Sequence, residues 1–416
     1  MAKVMLLPLP AYGHINPTLP LAQELVARGE EVSYCLPDQF KSTIASTGAA
    51  FVPYQLSGRG VRWIALPCEA LFFWLPLHVA VSSLEALPQV VQIVRHQQPD
   101  YLIYDAMCLW GRLAARILHL PAIRFHTSFA INEQLGPVFW TLLEQADRVS
   151  MPRTAEGPLP GDEPAITFRS AVEHLCSSYN LPPIELKSFF DHAEPLNLVP
   201  IPLVFQPGVE SFDARFQFLG PSIVSRQAPT DFPFEQLKPQ LTLYISLGSV
   251  CNHEVDFFTT CFAAFGRTDA TTHQHRLLPH TGQGEGEQPW QVILATGTSN
   301  VATLGPVPEN FLVRPSVPQL EVLQQTTVFL THGGMNSVME ALWYGVPLVV
   351  IPQMTEQVIT AHRVEELGLG LALEKPAVTV ASLQETVRRV TSNQEMHTRV
   401  QQMQETIRQM GGAKGC

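Results

Sequence analysis

The stretch that most constrains the fold runs from Val328 to Gln357 and reads VFLTHGGMNSVMEALWYGVPLVVIPQMTEQ. Its first apolar run, Val328–Leu330, predicts a short buried strand, which passes through a turn into a helix that ends before Gly345. A second buried strand, Leu348–Ile351, follows, and another helix begins at about Thr355. This spacing predicts a βαβ crossover, in which the loops lie together at the carboxyl edge of a parallel sheet.

The turn between the first strand and its helix has the chemistry of an anion site. Gly333 and Gly334 let the backbone approach a ligand closely, and the start of the helix presents N–H groups and a partial positive charge. His332, Asn336 and Ser337 add side-chain donors at the same place. These residues predict a nest for a diphosphate that needs no metal ion.

Acceptor groups follow the same turn. Glu340 lies one turn further along the helix, and its two oxygens could take both hydroxyls of a ribose. Glu356 and Gln357 begin the next helix at the same edge, where sugar hydroxyls could reach them. Structural alternatives stay open: Ser337 and Glu340 fit a capping box, and Glu356 fits the acidic residue that a helix dipole favours in the first turn.

Length and charge limit the class of protein. A chain of 416 residues exceeds the usual size of a single core, so two domains are expected. A net charge of −11 argues against nucleic acid as a partner. No targeting signal is evident, and the apolar stretch Ala70–Val81 is too short to span a bilayer and contains Pro76 and His78. We therefore expect a cytoplasmic protein with no membrane span.

A second group of polar residues is predicted in the first half. Val4–Leu9 predicts a buried strand, a helix begins at about Asn16, and His14 lies in the loop between them. Tyr101–Asp105 predicts another buried strand, which ends in a carboxylate. His14 could be merely structural, and Asp105 could cap the following helix. Together they predict an imidazole base with a carboxylate that orients it.

Both sets of motifs resemble those of one enzyme family. HGGxxSxxEA followed by GVPxxxxPxxxEQ is similar to the nucleotide-sugar signature of the family 1 glycosyltransferases, in the bacterial macrolide and flavonoid branch. GHINPTLPLAQELVARG is similar to the family's N-terminal GHxxP segment, whose catalytic base matches His14. The family's partner aspartate lies in a PD-x-x-x-x-D segment and matches Asp105, with Pro99 and Asp100 before it.

The resemblance implies further ligand contacts. In the family, the serine that matches Ser249 faces the diphosphate, the residue that matches Val317 contacts uracil through its backbone, and Gln319 reaches the nucleoside. The stretches around 60–85 and 125–150 line an apolar acceptor pocket in the family. The aromatic residues predicted there could also be ordinary core residues; they are Phe72, Phe73, Trp74, Trp110 and Phe129.

The resemblance implies an α/β fold of the GT-B type, with two facing Rossmann-like domains and the active site in the interdomain cleft. We predict an acceptor domain at 1–221, a linker at 222–240 and a nucleotide-sugar domain at 241–416. The implied reaction is inverting transfer of a hexose, with glucose the expected sugar, from a UDP-sugar to a hydroxyl of a phenol, flavonoid or macrolide. The UDP-sugar is a co-substrate, and no metal ion or other cofactor is expected.

Two departures from the family leave an alternative open. Residues 266–289 form an insertion rich in glycine and histidine, which we predict to be a flexible loop rather than a metal site. Family members continue with a further helix that crosses back onto the first domain, and this helix is expected to be shortened here. The alternative is therefore a protein that binds a UDP-sugar but transfers it weakly. An epimerase or a glycosidic phosphorylase is disfavoured by the His14 segment and the EQ ending.

Overall fold

The computed structural model describes residues 1–57, 68–132, 140, 145–146, 148–152, 165–224, 232–238, 240–248, 250, 254–267, 290–297 and 301–415. The chain divides into two compact units. Unit 1 comprises Met1–Arg226 together with Gln409–Cys416, and unit 2 comprises Gln227–Arg408. The terminal segment thus folds with unit 1, whereas the sequence-based division assigns it to the second half.

The described part of unit 1 is built on a parallel sheet of seven strands. The strands of the unit are β1 Lys3–Leu7, β2 Glu31–Leu36, β3 Ala50–Pro53, β4 Tyr101–Asp105, β5 Ala122–Phe125, β6 Ser150–Pro152, β7 Ala165–Thr167, β8 Leu196–Val199 and β9 Phe216–Phe218. The order across the sheet is β3-β2-β1-β4-β5-β8-β9, and β6 and β7 form a separate antiparallel pair. The order reverses direction between β1 and β4, which is where open α/β sheets bind ligands.

Helices cover the sheet of unit 1. They are α1 Tyr12–Ile15, α2 Leu19–Ala27, α3 Lys41–Ile44, α4 Cys68–Gln97, α5 Leu109–Leu118, α6 Phe168–Ser178 and α7 Leu186–Asp191. The predicted loop around His14 is wrong, because His14 lies in the one-turn helix α1. A 3-10 turn, Asn16–Thr18, joins α1 to α2, and Pro17 stands in its first positions, where the missing N–H costs least.

Helix α4 corrects the expectation that the Ala70–Val81 stretch is too short to cross a bilayer. Of the helices in the described ranges, this one is long and apolar enough to do so over Ala70–Gln97, by length and composition only. However, 56% of its most apolar window is buried within the protein, and the helix packs against α5 and α6. A core helix of a soluble protein passes the same test.

In unit 2, the residues that the structure describes form a parallel sheet of six strands. The strands are β10 Thr242–Ser246, β11 Gln291–Ala295, β12 Phe311–Arg314, β13 Val328–Thr331, β14 Leu348–Val350 and β15 Gly370–Ala372. The helices are α8 Val255–Phe265, α9 Gln319–Leu323, α10 Met335–Trp343, α11 Thr355–Glu366, α12 Val380–Ser392 and α13 Gln394–Gln409. The order β12-β11-β10-β13-β14-β15 is that of a dinucleotide-binding sheet, with its reversal between β10 and β13.

The residues after α13 return to unit 1. Ala413 is buried in the core cluster that also contains Leu21 and Ile44. Its backbone N–H donates to Ser222 Oγ at 2.5 Å, and Arg28 donates to the carbonyl of Lys414 at 2.9 Å. A return onto the first unit is therefore present, as the 3-10 turn Gly412–Gly415 rather than as a further α-helix.

Candidate functional site

In unit 1, the reversal of strand order brings His14 and Asp105 together. Nδ1 of His14 lies 2.8 Å from Oδ2 of Asp105. The Asp105 side chain is fully buried, whereas 24% of the His14 side chain is exposed. A carboxylate at Nδ1 favours the tautomer with its proton on that nitrogen, so Nε2 is the atom that can take up a proton. The predicted pair therefore exists, with the geometry that a base and its orienting group require.

Asp105 also closes a local turn. Its Oδ1 accepts the backbone N–H of Met107 at 2.7 Å. Helix α5 begins one residue after Cys108, which makes no side-chain cap. Asp105 is therefore not the N-cap of the next helix, and its two oxygens divide between the turn and the imidazole.

Thr127 is a third member of this group that the sequence analysis missed. Its Oγ1 lies 3.1 Å from Nδ1 of His14. Thr127 follows β5, which pairs with β4, so it lies at the same carboxyl edge as Asp105. From sequence, Thr127 could be recognised only as a hydroxyl residue shortly after a strand. Its closeness to His14 can be predicted only when the position of that strand next to β4 is known.

Arg124 supports the loop that follows β4. Its buried guanidinium donates to the carbonyl of Ala106 at 3.2 Å and to those of Phe189 and Phe190 at 3.1 and 2.9 Å. It also donates to the carbonyl of His192. The residue after Asp105 is thereby tied to the end of α7, although burial lowers the pKa of Arg124.

Two of the predicted acceptor residues, Trp110 and Phe129, are buried. Trp110 is 1% exposed and packs edge to face against Tyr54, with ring centroids 6.2 Å apart. Phe129 is buried and stacks on the fully buried Phe205 at 5.8 Å. Trp110 and Phe129 thus pack like core residues, and an acceptor contact stays a prediction for both of them.

The remaining predicted acceptor residues lie near the start of α4. Phe72 is buried and meets Phe73 edge to face at 5.8 Å. Phe73 and Trp74 are half-buried, so part of each ring is accessible. An acceptor contact stays a prediction for this aromatic group.

In unit 2, the end of β13 forms a tight turn before α10. Gly333 has a φ of 85°, and an added Cβ there would lie 2.6 Å from Val350 Cγ1. Gly334 is the N-cap of α10 and makes no side-chain cap, while Asn336 and Ser337 stand half-buried in the first turn. The first-turn N–H groups of a helix have no partner within the helix, so this end is suited to bind an anion.

The ring of His332 is lodged against two glycines. An added Cβ would lie 2.6 Å from its Cε1 if placed on Gly248, and 2.4 Å from its Nε2 if placed on Gly334. Burial lowers the pKa of His332 to about 4, and a hydrogen bond with the Ser246 backbone acts in the opposite direction. His332 is therefore neutral near pH 7, so it offers a hydrogen-bonding group rather than a charge. Gly248 was not singled out from the sequence.

Glu340 does not close the start of its helix. Helix α10 begins at Met335, so Ser337 lies inside the helix and the capping-box alternative is wrong. The Glu340 carboxylate is 1% exposed, and its Oε2 accepts Nε2–H of Gln319 at 2.6 Å. The same amide group lies 3.5 Å from Ser337 Oγ. The structure thus brings three predicted donor-site residues together at the sheet edge.

Gln357 has a role at the start of α11. Its Oε1 accepts the backbone N–H groups of Gln353 and Met354 at 2.8 and 3.1 Å, and the residue is 3% exposed. Its NH₂ group is consequently the part that could donate to a sugar. Glu356 is half-buried in the first turn of the same helix, a position compatible with both the sugar contact and the helix-dipole alternative.

Val317 and Ser249 are two further residues predicted to contact the donor in unit 2. Val317 is buried just before α9. Ser249 lies outside the described residues, as does the predicted insertion except for Gly266 and Arg267. Within the ranges that the structure describes, no group of three or more His, Cys, Asp or Glu side chains could hold a metal ion.

Comparison with known proteins gives consistent matches. Residues 284–409 match the family described as erythromycin biosynthesis protein CIII-like, C-terminal domain. The chain is 37% identical over 418 residues to the NDP-glycosyltransferase YjiC of Bacillus subtilis (strain 168), covering 99% of this chain and 94% of that protein. It is 30% identical over 426 residues to the demethyllactenocin mycarosyltransferase of Streptomyces fradiae, covering 99% and 84%.

A solved structure extends the similarity to the fold. The crystal structure of CalG4, the calicheamicin glycosyltransferase, superposes with a TM-score of 0.75 at 29% sequence identity. The match covers 99% of this chain and 96% of that chain. The similarity therefore includes both units.

Proposed function

Because the chain belongs to the family 1 glycosyltransferases, in the bacterial macrolide branch with the GT-B fold, we propose that it transfers glucose from UDP-glucose with inversion. Transfer of a sugar from a nucleotide sugar to a small-molecule acceptor follows from the family. The identity of the nucleotide and the sugar, the stereochemistry and the lipophilic character of the acceptor are our proposal.

The observation that carries the proposal is the 2.8 Å contact between His14 Nδ1 and Asp105 Oδ2. Nε2 of His14 takes the proton of the acceptor hydroxyl as its oxygen forms a bond to the anomeric carbon. The bond from that carbon to the diphosphate oxygen breaks at the opposite face, and UDP leaves. Asp105 stabilises the imidazolium that forms. A direct attack of this kind inverts the anomeric configuration.

The donor is assigned to unit 2. The N–H groups at the start of α10 and the side chains of His332, Asn336 and Ser337 would hold the diphosphate, with Ser249 as a further donor. Negative charge builds on the leaving diphosphate, and fixed donors stabilise it without a metal ion. Glu340 would accept the ribose hydroxyls.

The remaining donor contacts are carried from the family pattern. Val317 and Gln319 would contact the nucleoside, and Glu356 and Gln357 the sugar hydroxyls. On the acceptor side, the accessible parts of Phe73 and Trp74 favour a lipophilic molecule such as a phenol, flavonoid or macrolide. We propose that the enzyme works in the cytoplasm, where nucleotide sugars are available.

The test compares nucleotide sugars in separate reactions. UDP-glucose, UDP-galactose, UDP-N-acetylglucosamine and TDP-glucose are each incubated with a library of phenols, flavonoids and macrolides, with and without EDTA. Mass spectrometry detects the products, and proton NMR distinguishes glucose from galactose and gives the anomeric configuration.

We expect β-linked glucosides, formed equally well with EDTA. An α-linked product would contradict inversion, and a different added sugar would contradict the glucose assignment. Loss of transfer with EDTA would contradict metal independence. UDP-glucose binding without transfer to any acceptor would favour the alternative, a UDP-sugar-binding protein of weak catalytic activity.

A further inference from the structure

A chain of hydrogen bonds connects Tyr244 to Glu340 through Gln319. The Tyr244 hydroxyl donates to Oε1 of Gln319 at 3.0 Å. Nε2 of Gln319 donates to Oε2 of Glu340 at 2.6 Å. Tyr244 lies in β10, Gln319 begins α9 and Glu340 lies in α10, so the three side chains join separate elements of unit 2.

The position of Tyr244 is fixed by packing. The residue is 1% exposed, and its ring stacks on Phe329 of the neighbouring strand β13 with centroids 4.5 Å apart and planes 6° apart. Burial raises the pKa of the Tyr244 hydroxyl; a hydrogen bond with the Ser246 side chain acts in the opposite direction, and the charge of Glu340 adds to the rise. The hydroxyl therefore keeps its proton and remains a donor.

The direction of the chain follows from its two ends. A carboxylate can only accept hydrogen bonds, so the group of Gln319 that faces Glu340 must be the NH₂ group. Its carbonyl oxygen then faces Tyr244, which supplies the matching O–H. Without the Tyr244 hydroxyl, Oε1 of Gln319 would lose its hydrogen bond and the amide would be less firmly oriented. The Glu340 carboxylate would then accept from a donor whose position is no longer fixed.

We propose that Tyr244 is a positioning residue for nucleotide recognition: through Gln319 it holds Glu340 in the orientation that accepts the ribose hydroxyls. The site then prefers a ribonucleoside diphosphate to its 2′-deoxy counterpart. This proposal rests on the ribose contact proposed for Glu340 and adds the residue that fixes its geometry. Gln319 acts in it as a link between two side chains.

The experiment measures the dissociation constants of UDP and 2′-deoxy-UDP by calorimetry for the full chain. Tyr244→Phe keeps the stacked ring and removes the donor. We expect its affinity for UDP to fall roughly two- to tenfold, the range for one lost hydrogen bond. Affinity for 2′-deoxy-UDP should change much less, so the preference for the ribonucleotide shrinks.

Tyr34→Phe is the matched control. Tyr34 is also fully buried and its hydroxyl bonds Thr18 at 2.8 Å, but it lies in unit 1. The same chemical change there should leave both dissociation constants unaltered. If Tyr244→Phe weakened the two nucleotides by equal factors, or neither of them, the positioning role would be wrong.

Glu340→Gln separates this proposal from the ribose contact itself. It should reduce the preference for UDP, and adding Tyr244→Phe should reduce it no further. If Glu340→Gln left the preference unchanged, or if the wild type had no preference, the ribose contact proposed for Glu340 would be wrong. If Glu340→Gln reduced it and Tyr244→Phe did not, only the role of Tyr244 would fail.

Discussion

The imidazole of His332 occupies the space that a side chain at Gly248 would need. A Cβ on Gly248 would lie 2.6 Å from Cε1 and 2.7 Å from Nε2 of that ring. Gly248 also has a φ of 79°, a conformation that residues with a side chain rarely adopt. The position of His332 therefore depends on a residue that has no side chain.

Gly248→Ala should weaken UDP binding, because the new methyl group would displace the His332 ring. Losing a hydrogen bond to a charged diphosphate corresponds to roughly a tenfold to hundredfold loss of affinity. Gly305→Ala is the matched control, since Gly305 has a φ of 80° but nothing within 4 Å of an added Cβ. Both variants should unfold at lower denaturant concentration, and only the first should bind UDP poorly in calorimetry. Equal UDP affinities would contradict the displacement.

The element bounds that the sequence predicts well are those with clear signals at both ends. Tyr101–Asp105 is confirmed as predicted, and the predicted strands Val328–Leu330 and Leu348–Ile351 each end within one residue of β13 and β14. Each is an apolar run bounded by turn residues or charges. Helix α4 was not predicted at its full length, because Pro76 and Pro88 interrupt its pattern. Packing against α5 and α6 stabilises the helix on both sides of the two prolines. This tertiary contribution cannot be recognised from the local sequence.

His14→Ala should abolish most transfer while leaving UDP affinity unchanged. A positioned general base contributes roughly 10²- to 10⁴-fold to the rate, so kcat should fall within that range. The measurement combines product formation by mass spectrometry with UDP binding by calorimetry. Asp105→Asn should also lower kcat, because an amide cannot stabilise the imidazolium in the way a carboxylate does. Full turnover by His14→Ala would contradict the role of the base.

Thr127→Val should lower kcat by a smaller factor. It removes the hydroxyl 3.1 Å from His14 Nδ1 and leaves the Asp105 contact in place. Loss of one such bond predicts a roughly two- to tenfold fall in kcat, measured by product formation. Thr127→Ser keeps the hydroxyl and should retain wild-type turnover. The prediction fails if the serine variant is impaired as much as the valine variant.

The order of the strands explains the side-chain contacts at both sites. Asp105 reaches His14 because β4 lies next to β1, and the chain from Tyr244 to Glu340 forms because β10 lies next to β13. Periodicity predicts that each segment is a strand, but it does not give the neighbours of a strand. This is why Glu340 could be proposed from sequence as a ligand or as a cap. Its partner Gln319 was expected only to reach the nucleoside.

Stability should depend on pH through His332. Burial holds its pKa near 4 in the folded protein, below the ordinary value of 6.5. Between these values the unfolded chain binds a proton that the folded chain does not. The contribution of the neutral His332 to the free energy of unfolding is therefore fully present above about pH 6.5 and declines as the pH falls toward 4. It falls by about 2 kcal/mol near pH 5.

His332→Asn should remove this part of the pH dependence, because asparagine does not titrate in this range. Urea unfolding near pH 7.5 and near pH 5 gives the free energy of unfolding for each protein, and the wild type should lose more of it than the variant. His78→Asn is the control in unit 1, because burial also lowers the pKa of His78 to about 4. Its replacement should reduce the pH-dependent decrease in the free energy of unfolding by a comparable amount. Only the His332 variant should, in addition, bind UDP more weakly. Equal losses for wild type and His332→Asn would show that His332 is not held neutral by burial.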